Sequence, residues 1–137
     1  MQRFYTNSRI AKFLLQWSTC ETISIGIFVF SINESLSQVE KNHESIHTAQ
    51  WVEMFFLFFL FLMCWDVFCE VGKCTYLLCF IFYYLVYGFE FLIRLLFTFN
   101  MKKAYENISF EVEAYENMIS NTYFENRKLF SWVNFIV

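Results

Sequence analysis

The chain has 137 residues, a net charge of −3 and no proline, and 58% of it is hydrophobic, including 20 phenylalanines. At this length one domain is the expectation, spanning 1–137. A mild charge without a basic patch of interleaved aromatics argues against nucleic acid as a partner. So much apolar surface, gathered in blocks, argues against an ordinary water-soluble domain and makes the lipid bilayer the first partner.

Residues 1–37 read as an N-terminal cap. Residues 3–17 mix Arg3, Arg9 and Lys12 with apolar side chains, which predicts a short helix lying on a membrane. The apolar run at 13–15 is too short for a signal-peptide core, so the N-terminus is expected to be retained. In residues 22–32, Ile23, Ile25, Ile27 and Val29 alternate, the pattern of a strand. Ser37 and Glu40 form an S-x-x-E capping box, which starts a helix near Gln38. Nothing breaks that helix before Gly72, so residues 38–70 are one element, running into a first membrane span at 51–69. A turn at 70–74 leads to a second span at 75–99. Both spans approach or exceed the roughly 20 helical residues that cross a bilayer core. Asn100 marks a break, residues 101–120 read as one helix, and Thr122 with Glu125 repeats the capping box. The final helix, 122–137, places Leu129, Trp132, Val133 and Ile136 on one face and Arg127, Lys128 and Asn134 on the other, as an interfacial helix does. The expected fold is mostly α: a two-helix transmembrane hairpin with a short N-terminal strand region and two C-terminal helices. The tetrapeptide AYEN occurs at 104–107 and 114–117, a coincidence rather than a repeat. Cys20, Cys64, Cys69, Cys74 and Cys79 contain no C-x-x-C pair and read as packing residues. Cys69 and Cys74 flank the turn, where an oxidising compartment would allow a bridge.

His43-Glu44-Ser45-Ile46-His47 matches H-E-x-x-H and uses both histidines of the chain. On a helix, positions 43 and 47 share a face, so two imidazoles can hold one zinc, with Glu44 beside them as general base. The plain alternative is two polar residues above a membrane helix with no role. A third ligand is sought among Glu106, Glu111, Glu113 and Glu116. Ala104, Ile108, Tyr115 and Met118 form a core-facing stripe whose missing member is position 111. Glu111 therefore lies on the apolar stripe, and the other three lie towards solvent. A carboxylate there needs a partner, either zinc or a basic side chain. A hairpin returns the chain to the side it left, so His43, His47 and Glu111 fall on one side of the membrane, just outside the hydrocarbon. Zinc ligation, at one ion per chain, asks the three groups to converge to within about 3–4 Å.

Gln50 lies on the ligand face and reads as a ligand-orienting, substrate-touching or plain interfacial residue. Glu53 stands at the membrane entry. Glu90 and Arg94 lie four apart inside the second span, as an intramembrane ion pair or a proton or substrate path, with Glu53 also within reach of Arg94. Asp66, at the far end, is expected to meet water or Lys73. The strand near the motif helix reads as a cover for the site or as an edge for an extended substrate.

The segments NHESIHTAQ and FEVEAYEN resemble those of small bacterial membrane proteins that pair H-E-x-x-H-x-x-Q and two membrane helices with a following F-E-x-E-A-Y segment. The likeness runs from about Ile23 to Trp132. More distantly, the two motifs are similar to those of gluzincin membrane metallopeptidases, such as the prenyl-protein-processing and antibiotic-sensor types. The resemblance implies zinc at His43, His47 and Glu111, Glu44 as base, a peptide or membrane-protein substrate, and a bacterial inner membrane. The gluzincin element usually has Asp four residues after its ligand Glu. Here Tyr115 holds that place, a phenol that can donate to a ligand or an oxyanion but cannot accept a proton as Asp does.

Arg3, Arg9, Lys12, Lys41, Lys102, Lys103, Arg127 and Lys128 fall on the side of the motif, and Lys73 alone falls at the turn. The positive-inside rule then faces the site to the cytoplasm. Two functions follow: a minimal membrane-bound zinc hydrolase, peptidase-like, or a non-catalytic membrane interaction or regulatory protein that keeps the fold.

Overall fold

The computed structural model describes residues 2–16 and 20–136. Met1, residues 17–19 and Val137, which fall within the expected cap, surface helix and terminal helix, lie outside the described residues. The described chain is mostly helical with a small three-stranded sheet. It divides into two compact units, residues 1–49 with 114–128 and residues 50–113 with 129–137.

In the first unit, strand β1 (Arg3–Tyr5) pairs parallel with β3 (Phe28–Ser31), and β2 (Thr22–Ile25) pairs antiparallel with β3, giving the order β1-β3-β2. The single strand expected over 22–32 is thus a hairpin. Its register, Ile25 opposite Phe28, leaves Gly26 and Ile27 as a two-residue turn. Gly26 takes φ 61°, which glycine adopts without the steric cost of a Cβ, and the first position of a II′ hairpin turn requires it. The alternating pattern ran through this glycine and hid the turn. Helix α1 (Arg9–Leu14) is shorter than the expected 3–17, because residues 3–5 join the sheet. Ser8 caps it by accepting from the Ala11 amide, and α1 buries Ala11.

Helix α2 (Gln38–Asp66) is continuous through the motif, as expected. The capping box forms: Glu40 accepts from the Ser37 amide and hydroxyl, both at 2.7 Å, and Ser37 Oγ accepts from the Glu40 amide at 3.2 Å. These bonds hold the Glu40 carboxyl below the usual carboxylate range, the side-chain bond from Ser37 contributing most. The helix ends at Asp66 rather than at 70, and Asp66, exposed to solvent, receives the Val71 amide at 2.7 Å.

In the second unit, a 3-10 helix (Lys73–Leu78) leads into α3 (Cys79–Thr98). Gln38–Asp66 and Lys73–Thr98 are long and apolar enough to cross a membrane. Within the unit Met54, Tyr83, Ile108 and Phe110 form a buried cluster, against which Trp51, Phe82, Tyr87 and Trp132 pack.

The expected helix over 101–120 is two helices, α4 (Met101–Glu106) and α5 (Ser109–Asn117). Asn100 caps the first by accepting from the Lys103 amide, and Asn107 closes it with its side-chain amide donating to Lys103 O at 2.6 Å. The expected helix over 122–137 is also broken, into α6 (Tyr123–Asn126) and a 3-10 turn (Ser131–Phe135). Thr122 makes no side-chain cap bond, and Arg127 is extended. Phe130 takes φ 57°, so no single helix can carry the amphipathic face predicted there.

Candidate metal centre

Helix α2 presents His43 and His47 one turn apart. Their Nε2 atoms lie 3.0 Å apart, within hydrogen-bond distance. One ligand atom from each of His43, His47 and Glu111 falls within 4.8 Å of the others. The carboxylate comes from the first turn of α5. His47 and Glu111 are buried and His43 is half-buried. Tetrahedral ligation at zinc distances sets donor atoms about 3.4 Å apart. The imidazole pair is slightly tighter than that, and the full set is wider than the expected 3–4 Å. Two imidazoles and a carboxylate nonetheless match the donor chemistry of zinc.

Glu44 is buried and accepts a hydrogen bond on Oε2 from the hydroxyl of Ser24, on the edge strand β2. Gln2 secures the same turn of α2, donating to Glu44 O at 3.0 Å and Thr48 Oγ1 at 2.8 Å, while Thr48 donates to Gly26 O. The strand pair is thereby fastened along the motif. Tyr115 was expected on the core stripe but is 43% exposed. Its ring stands edge-on to His43 with centroids 4.9 Å apart. Asn42 donates to Met118 O at 2.9 Å, which ties that segment to α2.

Glu111 is 2% exposed, and its Oε1 receives two phenols, Tyr87 at 2.6 Å and Tyr105 at 2.9 Å. Tyr87 lies near the middle of α3, so Glu111 stands alongside that helix rather than beyond its end. Gln50 is fully buried. Its Nε2 donates to Phe110 O at 3.0 Å and to Glu113 Oε2 at 2.9 Å, and its Oε1 accepts from Tyr83 at 3.3 Å. Glu113 is therefore not turned to solvent as the stripe predicted. The break between α4 and α5 resets the helical phase, and Gln50 supplies a donor for the buried carboxylate. Glu106 and Glu116 are exposed as expected. Glu53 is buried on α2.

Glu90 and Arg94 pair at 3.1 Å. Glu90 also takes the Ser109 amide at 2.9 Å and the Ser109 hydroxyl at 2.7 Å, so it caps the helix that carries Glu111. Ser24, Tyr87, Tyr105 and Ser109 were not singled out from the sequence, and Glu113 was assigned to solvent. Tyr83, Tyr87, Glu90 and Arg94 follow a 4-3-4 spacing, a polar stripe on an otherwise apolar helix that would have pointed to three of these contacts. Among the described residues no disulfide forms, and Cys69 and Cys74 are exposed thiols. The chain matches no family model, and neither the curated proteins nor the solved structures give a match to it.

Proposed function

We propose that the chain is an integral membrane zinc hydrolase, peptidase-like, with His43, His47 and Glu111 as ligands. The observation that supports this most is the approach of both histidines of the chain to one buried glutamate, within 4.8 Å, with Glu44 next in sequence to a ligand. The apolar helices support the membrane part of the reading. Only 22% of the most apolar stretch of the first and 11% of that of the second are buried, whereas a core helix of a soluble protein buries most of its apolar surface.

A zinc ion held there would act as a Lewis acid towards a carbonyl and a water. Glu44 would take the proton of the attacking water and pass it to the leaving nitrogen, while Ser24 keeps the carboxylate aimed. Tyr115, exposed beside His43, would offer its hydroxyl to the developing oxyanion. Gln50 would act through α5, by holding the carbonyl of Phe110 next to the ligand. The substrate would be a peptide or a membrane protein. A non-catalytic metal-holding protein is the second reading, favoured by the Ser24 bond that occupies one oxygen of Glu44 and by a phenol where Asp is usual.

Metal analysis of the full chain purified in detergent tests the site: about one zinc per chain, lost in His47→Ala and Glu111→Ala. Hydrolysis of a casein-derived peptide library in proteoliposomes tests the chemistry. Glu44→Gln should keep the zinc and lose activity by about 10²-fold or more. A wild-type protein that holds zinc but cleaves nothing selects the second reading. One that holds no zinc removes both.

A further inference from the structure

Tyr105 and Glu111 are six residues apart. On one straight helix that spacing sets them about 120° apart around the axis, on different faces. The break after Glu106 removes this constraint, and the Tyr105 hydroxyl reaches Glu111 Oε1 at 2.9 Å. Tyr87 arrives at the same oxygen from α3, at 2.6 Å. The carboxylate of Glu111 is thus gripped from two other helices, α3 and α4, and both phenols fall on one of its two oxygens.

We infer that Tyr87 and Tyr105 are positioning residues that reserve Oε1 of Glu111 for the protein, so that the carboxylate meets a metal through Oε2 alone. The inference rests on the zinc reading above. Its physical basis is competition for lone pairs. An oxygen that accepts two phenol hydrogen bonds has little left to give a cation, and hydrogen-bonded outer partners fix the orientation of a ligating carboxylate. One-oxygen ligation keeps the coordination number at four and leaves a position for a water or a carbonyl. Without the phenols, both oxygens can close on the ion beside the water and raise the coordination number to five.

The full-length protein in detergent is compared with Tyr87→Phe, Tyr105→Phe, the double variant and Tyr84→Phe. Tyr84 lies on α3 next to Tyr83 and is 36% exposed, so it serves as the control. Zinc affinity is read by chelator competition, and coordination by the visible absorption of the cobalt(II) form at saturating metal. We expect each single variant to bind zinc about tenfold more weakly and the double variant about 100-fold. The cobalt absorption of the double variant should fall towards the weaker bands of a five-coordinate ion, and Tyr84→Phe should match the wild type. A tyrosine that merely packs would leave the cobalt spectrum unmoved. Should Tyr87→Phe fail to fold, Tyr105→Phe, on the short helix α4, carries the comparison alone. If the wild type binds zinc and the variants match it in affinity and spectrum, the positioning role is overturned and the zinc reading survives. If the wild type binds no metal, both fall.

Discussion

Gln50 commits both polar atoms of its side chain to the protein interior, and this distinguishes it from a polar residue that merely sits near a membrane surface. Its amide nitrogen bridges a backbone carbonyl of α5 and the Glu113 carboxylate, and its oxygen takes the Tyr83 hydroxyl. Replacing it with Leu keeps the bulk but leaves the Glu113 oxygen, the Phe110 carbonyl and the Tyr83 hydroxyl without these bonds. Each buried group so stranded costs about 1–3 kcal/mol. Gln50→Leu should therefore lower the stability of the metal-free protein by at least that much, read as the midpoint of thermal unfolding in detergent. A shift equivalent to less than about 0.5 kcal/mol would mean that the network is not what secures α5. From the sequence, the position of Gln50 on the ligand face was legible through its i+7 spacing from His43. Its partners were not, because they come from residues 33 to 63 positions away, and a single helix pattern says nothing about what packs on it.

At the level of elements, regular spacing was legible and its interruptions were not. The long helix was read through from its capping box because no residue inside it disfavours helix. Residues 101–120 were read the same way, and wrongly, because no glycine or proline announces the break. A side-chain amide from Asn107 and the carboxylate of Glu90 do the work that a proline would otherwise signal. Glu111 was still placed correctly as buried, since it follows Ile108 by less than one turn, while Glu113 was not. The strand failed in the opposite way: a clear signal, Gly26, was outweighed by the alternation around it. Glu90 is where two elements are joined. One of its oxygens takes the Ser109 amide and Arg94, and the other takes the Ser109 hydroxyl. Glu90→Ala leaves the first amide of α5 without its cap and Arg94 without this partner. Both members of the pair keep 18% exposure, so solvent softens the loss to about 1–3 kcal/mol rather than the larger penalty of a fully buried pair. Glu90→Gln, whose amide oxygen can still accept from Ser109, should lose less. An Ala variant that melts with the wild type would show that α5 is held elsewhere.

For the whole molecule, a bilayer around the two apolar helices would be the strongest constraint on how the chain can be arranged. From Trp51 to Asp66, α2 measures about 24 Å, and α3 about 30 Å, against a hydrocarbon core of about 30 Å. Val67 and Phe68, 78% and 85% exposed, extend the apolar surface past the end of the shorter helix. Eight of the ten basic residues precede Trp51, where the apolar part of α2 begins, or follow α3, and Lys73 lies at the turn. Arg94, the remaining one, is paired inside α3. If the two apolar helices cross a membrane, the positive-inside rule predicts from this asymmetry that the turn lies outside and both chain ends in the cytoplasm. The native cysteines offer a direct reading, because Cys20 precedes the first helix and Cys69 follows it, and both are exposed. In two variants that keep only one of these thiols, a membrane-impermeant maleimide applied to intact cells should label Cys69 at once and Cys20 only after lysis. The opposite pattern would reverse the orientation and put the metal ligands outside. Labelling of both thiols without lysis would mean that the two apolar helices do not cross the membrane. In that case their exposed phenylalanines need another cover, and the hairpin ceases to be the reason that His43, His47 and Glu111 share a side.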